Sequence, residues 1–399
     1  MATIQELAKK YEQEMVANRR YLHAHPEIGG TEENTTTFVM EKLKEMGLAP
    51  YRLDGLTGCV AVLEGGKGPG NVIMLRADID ALPVKEMTGL PFASENEGIM
   101  HACGHDFHTS SLLGAARILT EIKDELKGTV KFCFQPAEEV KGKGACEMME
   151  KGILENPKVD FLFGAHVSPL IPVGTLCCEP GPESAYPDFF NIVIHGKGCH
   201  GSQPHQGKDP IRAAVAIYHM LSDLSLNINM LEPHVIQVCK LQAGTAYNIV
   251  PDEAVIGGTV RTLTPETRQI CKDGLAKIVA AVEVNYGVTC EMTGMGVATP
   301  PVVNHEKYTP RVHNSFRKFI TTDIVTKTEG KMGGEDFSFF QQTGVPGVFV
   351  NYGVASPDTP GSDRPLHNPG FSPDEGGIAI GAMCYAQVAV DYLAGEYED

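Results

Sequence analysis

The sequence predicts an α/β protein in two parts: an α/β unit split in sequence by a smaller α+β unit. Three observations carry that expectation. Apolar, strand-like runs alternate with amphipathic helical stretches in the first part of the chain. Near Glu183 the order changes to β-α-β-β-α-β, the split βαβ unit. Helix and strand then alternate again toward the end. The expected boundaries are one discontinuous domain at 1–184 and 298–399 and an inserted domain at 185–297.

In chain order, the hydrophobic spacing predicts helices from about Ile4 to His23 and from about Glu32 to Met46. Strands follow at about Gly58 to Leu63 and at "NVIMLRADID". A helix is expected just after the cluster "HACGHDFH", at "TSSLLGAARILTEI". Then come a strand "TVKFCFQPAEEV", a short helix near Ala145 to Lys151 and a strand "DFLFGAHV". In a largely parallel sheet, ligands bind beyond the carboxyl ends of strands. The segments "ADID", "PAEE" and "AHV" each end an apolar run.

Within the insertion, "DFFNIVIHG", "HVIQVCKLQ", "EAVIGGTVRTL" and "GVTCEMTG" read as strands. The helix in "KDPIRAAVAIYHML" has Asp209 as N-cap and Pro210 at its first position, and "TPETRQICKDGLAKIVAAV" starts on Thr-Pro. Afterwards come "EDFSFFQQ", "GVFVNYG" and a last helix beyond Asp374. The loop "VASPDTPGSDRPLHNPG" has the composition of a segment that covers or lines a site.

A chain of 399 residues is too long for one simple core, and 42 % apolar with 21 % charged residues is an ordinary globular balance. The net charge of −17 argues against nucleic acid or an anionic membrane as partner. The N-terminal stretch is amphipathic without the apolar core of a secretory signal, and no other stretch approaches the ~20 apolar residues of a membrane span. Eleven cysteines without a framework spacing fit a reducing cytoplasm, with Cys133, Cys239 and Cys384 expected as small buried side chains.

Chemistry concentrates in a few places. Cys103 and His105, two apart with Gly104 between them, can point at one ion at a helix start; the alternative is a buried Cys beside histidines that cap a helix. A fully helical octet would instead align His101, His105 and His108. Glu138 and Glu139 follow a strand, and in an extended segment they project to opposite sides, one as a ligand and one as a base. A solvated acidic turn is the bland reading. His166 and His367 are weak signals singly. Together with Cys103, His105 and Glu139 they make five donors, enough for two metals if a thiolate bridges. Asp78 and Asp80 suit the carboxylate that orients a metal-bound histidine, or a turn.

The set "RADIDALP", "HACGHDFHTSSLLGAA", "FQPAEE", "GAHV", "GKGCHGSQPHQGKDPI", "NIVPD", "GTVRT", "GGEDFSFF" and "LHNPGF" occurs in the order found in the M20 metallopeptidases. The chain resembles their amidohydrolase branch, which includes hippurate hydrolases, N-acyl amino acid amidohydrolases and auxin-conjugate hydrolases. The resemblance implies a zinc-peptidase-like catalytic domain with an inserted lid that forms a homodimer or higher homo-oligomer. It implies two divalent metal ions per chain, zinc first, with manganese, cobalt or nickel as replacements. Cys103 would bridge, His105 and Glu139 would hold one ion, and His166 and His367 the other. Glu138 matches the general base and Asp80 the supporting aspartate, while Asp78 stands where other members use a histidine ligand. From the lid, His200 matches a histidine that reaches the neighbouring subunit's site. Asn248, Arg261 and Gly334 match substrate contacts.

The implied reaction is hydrolysis of a small N-acyl amino acid to a carboxylic acid and a free amino acid. Dipeptidase or carboxypeptidase action and N-acetyldiaminopimelate deacetylation use the same site. A cysteine hydrolase leaves Glu139, His166 and His367 unexplained, and a non-catalytic two-lobed binding protein leaves Glu138 unexplained.

Overall fold

A computed structural model of the chain describes residues 2–140, 143–296, 299–320 and 332–398. The chain forms two compact units: Met1–Glu183 with Val302–Glu329 and Asp336–Asp399, and Ser184–Pro301 with Gly330–Glu335. The boundary expected between residues 297 and 298 lies outside the described residues.

The first unit is built on a six-stranded sheet in the order Cys59–Glu64, Thr129–Gln135, Val72–Asp78, Phe161–Pro172, Gly347–Ala355, Leu176–Cys177. The inner four strands run parallel and the two edges are antiparallel to their neighbours. Alternation along a strand fills both faces. Ile73, Leu75 and Ala77 join residues of the helices Ile4–Ala24, His105–Glu121 and Gly376–Leu393 in one core, whereas Val72 and Met74 join Met148, Phe337 and Phe340 in another. A capping box between Thr3 and Glu6 starts the first helix. The helix Gly376–Leu393 is long and apolar enough to cross a membrane by length and composition, which corrects the expectation that no such stretch exists. Of its 18 residues 72 % are buried, the state of a core helix.

The second unit is a four-stranded sheet in the order Thr289–Gly294, Tyr186–His195, Glu253–Thr262, His234–Ala243, antiparallel throughout. Phe190, Ile192 and Ile194 point alternately inward and pack with residues of the helices Pro210–Leu224 and Pro265–Tyr286. Asp209 accepts from the N–H groups of Ile211 and Arg212, and Thr264 from that of Thr267. The strand His234–Ala243 is an edge. Cys239 lies exposed on it, not buried as its apolar run suggested, because side chains alternate along a strand and Ile236 and Val238 take the face packed on the core.

Candidate active site

In the first unit the site residues meet where the inner strands give way to loops. Asp78 closes its strand and Asp80 follows it. Three local features differ from the sequence reading. The helix begins at His105, inside the cluster and not after it, because Gly104 takes the left-handed φ of 85° at the N-cap. A Cβ on Gly104 would stand 2.5 Å from Val167 Cγ2, so only glycine fits there. The strand before the acidic pair ends at Gln135, and Glu138 and Glu139 lie in a turn set up by Ala137 at φ 53°, not in an extended segment. His166 lies inside the strand Phe161–Pro172, opposite Asn351, not at its end.

This local structure brings five donors together. The ligand atoms of Cys103, His105 and His166 lie within 4.8 Å of one another, as do those of Cys103, Glu139 and His367. Cys103 is common to both groups. The ligand atoms of His105 and Glu139, which the resemblance assigns to one ion, also lie within 4.8 Å of each other, in a group with Glu138. His367 Nε2 is 3.1 Å from Glu139 Oε1, and His166 Nε2 is 3.5 Å from Cys103 Sγ. Glu138 lies within 4.8 Å of His105 and Glu139 and belongs to neither Cys103 group.

Neighbouring groups orient the donor rings. His166 donates from Nδ1 to the Val167 carbonyl at 2.7 Å, which leaves the Nε2 lone pair facing Cys103. Burial, with His108 beside it, holds the His166 pKa well below its ordinary value and keeps the ring neutral. His105 Nδ1 is 3.1 Å from Asp80 Oδ1, and its buried Nε2 has no hydrogen-bond partner. That orphaned nitrogen fits a metal ligand whose other nitrogen is oriented by a carboxylate. Burial opposes charge on His105, yet Asp78 and Cys103 hold its pKa well above the usual value. Burial pushes the Cys103 thiol up, while the neighbouring His105 opposes that shift.

The three-histidine alternative does not form. His101 precedes the helix, and burial pushes it down to about 4. Both nitrogens of His108 are committed: the Val167 N–H donates to Nε2 at 2.9 Å, and Nδ1 donates to Asp78 Oδ1 at 2.5 Å.

Two supports escaped the sequence reading. Arg76, fully buried, donates to Asp78, Gln135 and Asp336 at 2.7, 2.8 and 2.8 Å. The only signal for it was a charge within an apolar strand. Glu32 sits at a helix start, and its carboxylate accepts from Ala137 N–H instead of capping that helix.

In the second unit, His200 pairs with Ile249, and Gly201 N–H donates to the Asn248 carbonyl at 2.8 Å, so His200 and Asn248 are neighbours. The Ser202 N–H donates to His200 Nδ1 at 3.2 Å, which leaves the ring proton on Nε2. Arg261 pairs with Pro187, and a Cβ on Gly334 would stand 2.7 Å from Pro187 Cγ. Asp188 is bonded to Arg268 at 2.7 and 2.8 Å, and the Arg261 guanidinium lies over the Phe189 ring, 5.2 Å away.

Fold and site together define a metal-dependent hydrolase of amide bonds. The chain belongs to Peptidase family M20/M25/M40, whose pattern matches residues 74–391. It is 38 % identical over 387 residues to Thermostable carboxypeptidase 1 of Saccharolobus solfataricus, covering 96 % of each chain. It is equally identical, 38 % over 387 residues, to N-acetylcysteine deacetylase of Bacillus subtilis, covering 96 % of this chain and 98 % of that one. Among solved structures it is similar to the Bacillus subtilis YXEP protein, described as a dinuclear metal binding peptidase of the M20 family. The TM-score is 0.82 at 36 % identity, covering 97 % of this chain and 99 % of that chain.

Proposed function

We propose that the protein hydrolyses the amide bond of small N-acyl amino acids to a carboxylic acid and a free amino acid. The observation that carries this reading is the pair of donor groups sharing Cys103, with Glu138 beside them and outside both. Cys103, His105 and His166 would hold one divalent ion, and Cys103, Glu139 and His367 a second. Zinc suits the mixed S, N and O donors, with manganese, cobalt or nickel as replacements. Bound ions supply Lewis acidity to the amide carbonyl and to the attacking water.

The chain's own groups do the rest. Glu138 takes the proton from the attacking water and passes it to the leaving nitrogen. His200 donates from Nε2 to the developing oxyanion. Arg261, which has no ion pair among the described residues because Asp188 is bonded to Arg268, suits the carboxylate of the substrate, with Asn248 and the Gly334 backbone as further contacts.

His200 is proposed to act on the partner's substrate in a homodimer formed through the second unit. Supporting this, the edge strand His234–Ala243 exposes Val235 and Leu241, and the helix Pro210–Leu224 exposes Ile211, Val215 and Tyr218 at one-face spacing. The eleven cysteines are free, which supports a reducing compartment such as the cytoplasm. Peptide hydrolysis at the same site is the second reading, favoured by the likeness to Thermostable carboxypeptidase 1.

The deciding experiment offers N-acyl amino acids and dipeptides to the metal-free and the reconstituted protein. Hydrolysis of the acyl series only after metal return supports the proposal. Full activity after verified metal removal sinks it, and a preference for dipeptides selects the second reading.

A further inference from the structure

We infer that Glu32 is a positioning residue for the general base, holding the turn that presents Glu138 and Glu139. The inference rests on the functional reading above. Glu32 is fully buried, and its carboxylate is held at two points. Oε2 accepts from Thr57 Oγ at 2.6 Å, and Oε1 accepts from the backbone N–H of Ala137 at 2.8 Å. Its own carbonyl accepts from Thr36 N–H at 2.9 Å at the start of the helix Glu33–Glu45, so the side chain projects from an anchored position.

The partner of that bond is an unusual residue. Ala137 takes φ 53°, a left-handed conformation that a side chain disfavours and that alanine has no polar group to secure. Something else must hold it. Across the turn, Glu139 N–H donates to Asp80 Oδ2 at 3.0 Å, while Asp80 Oδ1 meets His105. The residues on both sides of Glu138 are thus pinned by buried carboxylates, Asp80 on one side and Glu32 on the other. The surrounding backbone leaves no slack: a Cβ on Gly29 would lie 3.0 Å from Ala137 Cα, and one on Gly144 would lie 2.8 Å from the Ala137 carbonyl oxygen. Removing the Glu32 bond frees Ala137 to relax toward an ordinary φ, and that rotation carries Glu138 away from its place.

What matters here is an acceptor at the right distance, not the charge. Glutamine keeps an oxygen at that distance. Aspartate keeps the charge but is one carbon too short to hold Thr57 and Ala137 together. The test compares Glu32→Ala, Glu32→Asp and Glu32→Gln by kcat and KM at saturating Zn²⁺ on the best substrate of the panel. It also measures Zn²⁺ affinity by chelator competition, which needs no turnover. Displacing a reacting group by an ångström costs about 100-fold, so Ala and Asp should lose roughly 10- to 100-fold in kcat with little change in KM. They should also bind Zn²⁺ more weakly, because Glu139 shares the turn. Gln should stay within about threefold of wild type on the same scale.

If the Ala variant does not fold, Asp and Gln decide: Asp low with Gln high supports the inference. Ala or Asp at wild-type kcat and affinity, or Gln falling with them, overturns it. A wild type indifferent to metal removal would overturn the functional reading instead, a result the wild-type control shows separately.

Discussion

The backbone N–H of His367 donates to the carbonyl of Ala102 across 2.8 Å. A loop residue near the end of the chain is thereby tied to the residue before Cys103. His367 adopts φ 66°, a conformation costing roughly 1–2 kcal/mol for a residue with a side chain. Met87 N–H holds the same loop by donating to the Pro369 carbonyl at 2.7 Å. These two bonds keep His367 Nε2 3.1 Å from Glu139 Oε1 despite the unfavourable backbone.

Glu138 and Glu139 should respond differently to the same substitution. Glu138→Gln should keep its metal and lose on the order of 10²–10⁴ in turnover, the usual loss for a general base. Glu139→Gln should bind metal more weakly and recover partly as metal is added. Metal content and metal-titrated rates decide; metal loss in the first variant and retention in the second would mean the roles are reversed.

Cys103 is common to both donor groups, so its removal should reach both. Cys103→Ala should lose most of the bound metal, whereas Cys103→Asp, an anionic oxygen ligand, should keep part of it. Mass spectrometry during turnover supplies the counter-test: an acyl group trapped on Cys103 would make it a nucleophile.

Action of His200 across a dimer predicts complementation. His200→Ala and Glu138→Ala should each be inactive, and verified heterodimers should regain activity through the one site that has both residues. Heterodimers that form and stay inactive would rule the arrangement out.

His23 should make stability depend on pH. It lies 2.9 Å from Asp106 and 3.2 Å from Glu86. Burial and the Arg19 guanidinium oppose its charge, but the bond to Asp106, that residue's charge and the bond to Glu86 outweigh them, and its pKa is raised. A raised folded pKa adds stability that is fully present below the unfolded value of about 6.5 and lost as pH rises through the folded value. His23→Gln should therefore destabilise most near about pH 6, by roughly 1–3 kcal/mol. The deficit should shrink as the medium becomes alkaline. Chemical denaturation across that range measures it, and a deficit growing with pH would contradict the assignment.

The second unit was the most legible part of the sequence because its signals are local. Asp209-Pro210 and Thr264-Pro265 mark two helix starts, and period-two runs mark the strands around them. The five donor types were legible as chemistry. The approach of Glu139 to His367 was not, since it depends on a turn and a loop that lie far apart in sequence. The early helix start at His105 escaped because one left-handed glycine decides it, and hydrophobic periodicity carries no such information. Glu32 escaped because its partner, Ala137, lies on a turn distant in sequence.

The two donor groups stand on unequal foundations. His105 and His166 belong to a helix and an inner strand, while Glu139 and His367 sit on a turn and a loop shaped by left-handed residues. Ion exchange should accordingly be lopsided, quick at the second group and slow at the first. Under gradual dialysis the protein should pass through a half-loaded species, and turnover should track the leakier position. In a cell starved of trace metal, output would then follow free-ion supply more closely than the number of enzyme molecules.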